Sequence, residues 1–170
     1  MNKKQPLHAL LLLSFCILFS ACTPQVVVPP MSQMQIREMQ TRNYDGKNNI
    51  ATMKAVINAL QDDGFIVKNA DKDLGFIQAT KELDIEDGSE RFTSTFFNGA
   101  QARWRKNVIT ECSANLSGMG NSTKIRIIFQ SKTLDNMGNP IDIQQVNDLK
   151  YYQEFFAKVD KSLFIEKQGL

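Results

Sequence analysis

The most reactive side chains in this 170-residue chain belong to three cysteines and one histidine. A cysteine thiolate can attack an electrophile, form a thioether or bind a metal, and a histidine can transfer protons near neutral pH. Cys22 ends an apolar segment that also contains His8 and Cys16, whereas Cys112 stands alone in the second half of the chain. What these four residues can do therefore depends on whether the first segment is kept.

The start of the chain has the pattern of a secretory leader. Two lysines precede an apolar run at 7–21, LHALLLLSFCILFSA, which is shorter than the roughly 18 to 20 residues that span a bilayer. Its end at 20–22, Ser-Ala-Cys, resembles the lipobox of bacterial lipoproteins, with Phe19 where that family prefers Leu. The resemblance implies that the Cys22 thiol receives a diacylglyceryl group and that residues 1–21 are removed as a lipoprotein signal peptide.

Acylation of Cys22 would confine the protein to a membrane surface, because two or more acyl chains anchor a protein stably. Thr23 follows the cysteine, so the chain has no Asp at this position to resemble the inner-membrane retention signal of enteric bacteria. We therefore predict attachment to the outer membrane, facing the periplasm, with inner-membrane anchoring or cell-surface exposure as alternatives. Residues 22–33 hold three of the five prolines, which predicts an extended tether before a single domain at 34–170.

Loss of the leader excludes most catalytic chemistry. It removes the only histidine, and with it Ser-His-Asp and Cys-His arrangements and imidazole metal ligands. Cys112 is then the only unmodified thiol, and its strand position predicts a buried, inert side chain. Removing two lysines from 20 basic residues leaves 18, against 18 acidic residues, so no global positive field favours nucleic acid. We predict no enzymatic activity, no catalytic residues, no metal and no cofactor.

One stretch, 91–106, combines aromatic and basic residues that could bind a ligand. Its candidate binding residues are Phe96, Phe97, Arg103, Trp104 and Arg105, to which we add Arg126 from the exposed face of the sheet described next. Such groups together can stack on sugars, hold anionic headgroups or enter a protein interface. The simpler expectation is that Trp104 and one phenylalanine fill the core while the arginines are solvated.

Hydrophobic periodicity predicts an α+β domain that places these residues on one framework. Helical spacing runs from Ile50 to Leu60 and from about Asp148 to Leu163, while strands are predicted at 34–44, 65–67, 76–83, 104–116 and 124–132. The order β-α-β-β-β-β-α predicts a two-layer sandwich, in which an antiparallel sheet of about five strands carries two helices on one face. The polar residues of its other face are Arg105, Glu111, Ser113, Asn115, Arg126 and Gln130.

Two patches support this fold by resemblance. LQDDGFIVKNADKDLGFIQATK at 60–81 and YYQEFFAKVDKSLFIEK at 151–167 resemble small envelope lipoproteins, among them the helix-grip domains of the BamC-type lipoprotein of the outer-membrane barrel assembly complex. The matching positions are core and turn residues, so the resemblance implies the fold and transfers no binding residue.

These observations favour a non-enzymatic accessory or scaffold lipoprotein that binds a protein partner in an envelope complex. One alternative is a lipid- or glycan-binding protein, or a hydrolase, that uses the stretch at 91–106. Another is a component of a secretion or pilus system. The partners that we expect are the membrane, through the lipid anchor, and an envelope protein, with no nucleic acid.

Overall fold

The computed structural model describes residues 31–168. Cys22, the leader and most of the tether lie outside this range. The elements are α1 (Gln33–Met39), β1 (Thr41–Asp45), α2 (Asn49–Asp62), β2 (Ile66–Asp71), β3 (Phe76–Asp84), α3 (Gly88–Asn98), a 3-10 turn (Gly99–Gln101), β4 (Arg105–Met119), β5 (Ser122–Asp135), β6 (Pro140–Gln145) and α4 (Leu149–Gln168). The fold is an α+β sandwich with an antiparallel sheet, as predicted.

The sheet is built around the long β4–β5 hairpin. Its strand order is β1-β5-β4-β3-β2, and every pairing is antiparallel. β6 also pairs with β5, on the edge that β1 uses: β1 pairs with the first five residues of β5, and β6 with the segment from Gln130 to Leu134. The β1 and β6 strands therefore follow one another along the same edge of β5.

Helices α2 and α4 cover one face of the sheet and form the core with it. Asn48 caps α2 by accepting a hydrogen bond from the Ala51 N–H at 2.8 Å, and Gly64, with φ of 80°, follows its end. The core-facing residues of the two helices are Met53, Val56, Ala59, Leu60, Tyr152, Phe155, Phe156, Val159 and Leu163. Both predicted helices are confirmed. They could be predicted because their apolar residues follow the helical period.

The strands contribute alternate residues to the same core. The buried apolar side chains of the three central strands are Ile77, Ala79, Cys112, Ala114, Leu116, Ile125, Ile127 and Phe129. The predicted burial of Cys112 is confirmed, and burial raises the pKa of its thiol well above the ordinary value. The thiol is therefore protonated and inert at neutral pH.

The opposite face of the sheet is largely polar. Ser113 and Asn115 are exposed there, and Glu111 accepts a hydrogen bond from the Lys132 ammonium at 2.7 Å. Arg126 and Gln130 are partly buried on the same face. The predicted polar face is thus present.

Three local predictions are wrong. The segment 34–44 is a helix followed by a strand, because Ser32 and Gln35 form a capping box that starts α1. No helix was predicted between β3 and β4, where α3 forms. Residues 140–145, for which no strand was predicted, form β6, whose six residues are all exposed.

Candidate functional site

Helix α3 connects β3 to β4 and stands apart from the core. Asp87 caps it by accepting hydrogen bonds from the Ser89 N–H and hydroxyl, at 2.8 and 2.7 Å, which lower the pKa of Asp87. The helix ends at Asn98, before Gly99, whose φ is 57°. None of its eleven residues is buried. The helix therefore contributes no buried residue to the hydrophobic core.

Polar contacts on one side of α3 attach it to the start of β4. The Ser94 hydroxyl donates to the Arg103 carbonyl oxygen at 2.7 Å. Glu90 accepts hydrogen bonds from both the backbone N–H and the side-chain Nε–H of Arg105, at 3.3 and 3.1 Å. The helix thus turns Glu90 and Ser94 toward the strand, and its phenylalanines are left at the solvent side.

Phe92, Phe96 and Phe97 form the cluster that we call the aromatic face. Their exposed fractions are 73%, 73% and 76%. The Phe92 and Phe96 ring centroids are 6.3 Å apart, and those of Phe96 and Phe97 are 5.3 Å apart in an edge-to-face arrangement. The expectation that one of the phenylalanines at 91–106 fills the core is therefore wrong.

Each of the three arginines of the stretch 91–106 forms an ion pair with a carboxylate. Arg91 pairs with Glu86 at 2.9 Å, Arg105 pairs with Glu90 at 3.1 Å, and Arg103 pairs with Asp135. By contrast, Glu82, Asp84 and Asp87 form no ion pair within the described part of the chain. Among the charges of this segment, Lys106 is the one base without an ion pair in the described part of the chain, against three acids without one.

Trp104 and Asp135 fix the end of the hairpin that carries α3. Trp104 is partly buried outside the main core, its backbone N–H donates to the Asn136 side chain, and its carbonyl accepts from the Asn136 N–H at 3.0 Å. Asp135 is buried, and although burial raises its pKa, hydrogen bonds from Asn139, Arg103 and Met137 outweigh this effect and lower the pKa to about 2. The Trp104 backbone and the Arg103 side chain therefore help to fix this end of the hairpin, while the indole N–H of Trp104 is buried without a hydrogen-bond partner among the described residues.

The six binding residues predicted in the domain do not form one site. Arg126 lies nine positions before Asp135 along β5, about 30 Å away at ~3.3 Å per residue. Cys22 lies outside the described residues. Prediction from sequence also missed Phe92 as a separate site residue, although its spacing of four from Phe96 would place both on one side of a helix.

Comparison with known proteins adds no identity: no protein-family model matches this chain, and no curated protein matches it. Among residues 31–168, no helix combines the length and the apolar character needed to cross a membrane.

Proposed function

We propose that this chain is a lipoprotein anchored at Cys22 to the outer membrane, facing the periplasm. We further propose that it acts as a non-enzymatic accessory protein, which binds a protein partner in an envelope complex through the aromatic face of α3. The observation that carries the binding proposal is three clustered, exposed phenylalanines on a helix whose polar side faces its own domain.

The exposure of the aromatic face supports a binding role. Single exposed apolar side chains are common, but a contiguous group of large ones on a monomer is typical of an interaction surface. Phenylalanine is also enriched in the buried core of protein–protein interfaces. Because α3 makes its structural contacts through polar side chains, the aromatic face is not needed to hold the helix in place.

The charges around the aromatic face favour a protein over an anionic headgroup or a nucleic acid. The segment 82–106 holds five acidic and four basic residues, and its three arginines are all ion-paired. Without an ion pair in the described part of the chain are three acids, Glu82, Asp84 and Asp87, and one base, Lys106, so the remaining charge repels phosphate groups and attracts lysine or arginine. We therefore infer a partner surface with apolar residues at its centre and basic residues around them.

The anchor is tested by Cys22→Ser. Serine has no thiol for the acyl transfer, so we expect the variant to keep residues 1–21 and to incorporate no labelled palmitate, with the wild-type chain labelled and processed. Mass spectrometry of the amino terminus measures both results. A wild-type chain that begins upstream of Cys22, or a Cys22→Ser variant that still incorporates palmitate, would contradict the anchor.

The binding surface is tested by photocrosslinking in intact cells, with p-benzoylphenylalanine replacing Phe96. We expect an adduct to a discrete protein, mapped by mass spectrometry to a segment with apolar and basic residues. Leu74 is the matched control, since it is 73% exposed and lies in the β2–β3 turn, at the opposite end of β3 from α3.

Two results of the crosslinking would count against the proposal. Equal adducts from Phe96 and Leu74 would show non-specific contact. Adducts to lipid or glycan alone would support the alternative that the aromatic face binds a membrane or the cell wall. A further variant, in which Phe92, Phe96 and Phe97 are all serine, should fold normally and lose the protein adducts formed from a probe at Thr95, an exposed neighbour on α3.

A further inference from the structure

A second surface feature lies far from α3, at the edge of the sheet where α1 meets β5 and β6. It is a cleft of about 520 Å³. Its lining includes two arginines, Arg37 and Arg126, the buried amide of Gln40 and the apolar side chain of Ile36, and it contains no Asp or Glu. Volumes of this order are typical of small-molecule sites.

The arginines of this cleft differ from the others in the domain. Six arginines follow the leader, and Arg42, Arg91, Arg103 and Arg105 each form an ion pair with a carboxylate. Arg37 and Arg126 form none within residues 31–168, and both line the cleft. The Nε atom of Arg126 is buried without an acceptor. Two arginines without an ion pair in the described part of the chain therefore line one cleft.

Gln40 adds a second buried donor to the cleft. Its backbone is fixed between α1 and the sheet: its N–H donates to the Ile36 carbonyl at 3.2 Å, and its carbonyl accepts from the Ile127 N–H at 2.9 Å. The residue is only 1% exposed, and its side-chain Nε2 forms no hydrogen bond of good geometry in the described part of the chain, although the amide lies close enough to the Tyr152 hydroxyl to act on the pKa of that group. A buried donor without an acceptor is costly, so an acceptor in the cleft would stabilise this arrangement.

We propose that this cleft binds a phosphate group, held by the Arg37 and Arg126 guanidiniums and the Gln40 amide. Guanidinium groups form paired, charge-assisted hydrogen bonds with phosphate oxygens, and an amide donor satisfies another oxygen. The cleft is larger than a phosphate alone needs, and Ile36 offers an apolar wall, so the ligand carries an organic part. That part belongs either to a soluble phosphomonoester or to the phosphate headgroup of a lipid. This site lies outside the proposed partner surface on α3.

Titration of the purified protein with inorganic phosphate, acetate and dihexanoyl phosphatidate tests the proposal. The readouts are calorimetry and the NMR resonance of the Arg126 Nε–H. We expect phosphate to shift that resonance, and Arg126→Gln and Arg37→Gln each to weaken phosphate binding about 10- to 100-fold, the usual range for a lost charge-assisted contact. Arg37 is exposed on α1, so Arg37→Gln should fold normally, and its loss of phosphate binding cannot be attributed to misfolding. Arg91→Gln removes an equal charge from α3 and should bind as the wild type does.

The three probes distinguish the sources of the ligand. Tighter binding of dihexanoyl phosphatidate than of inorganic phosphate supports a lipid headgroup, and equal binding supports a soluble phosphomonoester. Acetate that binds as well as phosphate would overturn the choice of phosphate. The site itself is overturned if none of the probes shifts the Arg126 resonance, or if Arg91→Gln weakens binding as much as Arg126→Gln does.

Discussion

Replacing Phe129 by alanine is expected to lower the free energy of unfolding by about 3–5 kcal/mol, the usual cost of removing a buried phenylalanine side chain. Phe129 lies on β5, fully buried, and its ring is surrounded by aromatic neighbours. Its centroid is 5.0 Å from that of Tyr151, 5.2 Å from Phe155, 5.6 Å from Tyr152 and 5.7 Å from Phe65. Alanine would leave a cavity between β5, α4 and the start of β2 that these rigid rings cannot close.

The same substitution at Phe96 is the matched control. That side chain is mostly exposed on α3, so Phe96→Ala should change the free energy of unfolding by no more than about 0.5 kcal/mol. Urea denaturation followed by circular dichroism measures both variants. A cost at Phe96 close to that at Phe129 would mean that the aromatic face packs within the domain, and it would remove the main support for a partner surface on α3.

The elements that were predicted well are those that bury one side. In α2 and α4 the apolar residues recur with the helical period, and in β4 and β5 they alternate, because one side of each element lies in the core. Turn residues also act locally: Gly64 ends α2 whatever the rest of the chain does. Fold class therefore follows from the sequence by short-range rules.

Helix α3 and its orientation could not be predicted from hydrophobic periodicity, because its polar side faces the domain and its apolar side faces solvent. Periodicity assumes that apolar residues face the core, and this assumption assigned one phenylalanine of 91–106 to the interior. In the structure, Glu90 and Ser94 face the domain, where they bond to Arg105 and Arg103. Which side of such a helix faces inward depends on pairs nine and fifteen residues apart, and no local pattern reveals that.

The proposed phosphate cleft was also hidden from sequence, although Arg126 was singled out. Its residues come from distant parts of the chain, and the pairing of β1 with β5 brings them together: Thr41 is the Cα partner of Arg126. The charge pattern of the sequence does not reveal the cleft either, because nothing in the sequence shows which of the six arginines form ion pairs. Only the pairing of four of them with carboxylates distinguishes Arg37 and Arg126.

Gly75→Ala is the substitution expected to have the second large effect, a loss of about 3–5 kcal/mol from strain and overlap together. Gly75 ends the β2–β3 turn with φ of 63°, and its carbonyl accepts a hydrogen bond from the Leu116 N–H at 2.7 Å. A Cβ atom there would lie 2.2 Å from the Leu116 carbonyl oxygen. Because that oxygen belongs to the backbone of β4, the strand itself would have to move.

Gly46→Ala separates the two causes. Gly46 has nearly the same φ, 66°, but a Cβ atom added there meets nothing within 4 Å. Only the backbone strain applies, so Gly46→Ala should cost about 1–2 kcal/mol in the same urea titration. The difference between the two variants then measures the close approach of the turn to β4. Equal losses would show that the contact with Leu116 relaxes at no cost, and that the glycine in the segment Leu74-Gly75-Phe76 is required for its backbone conformation alone.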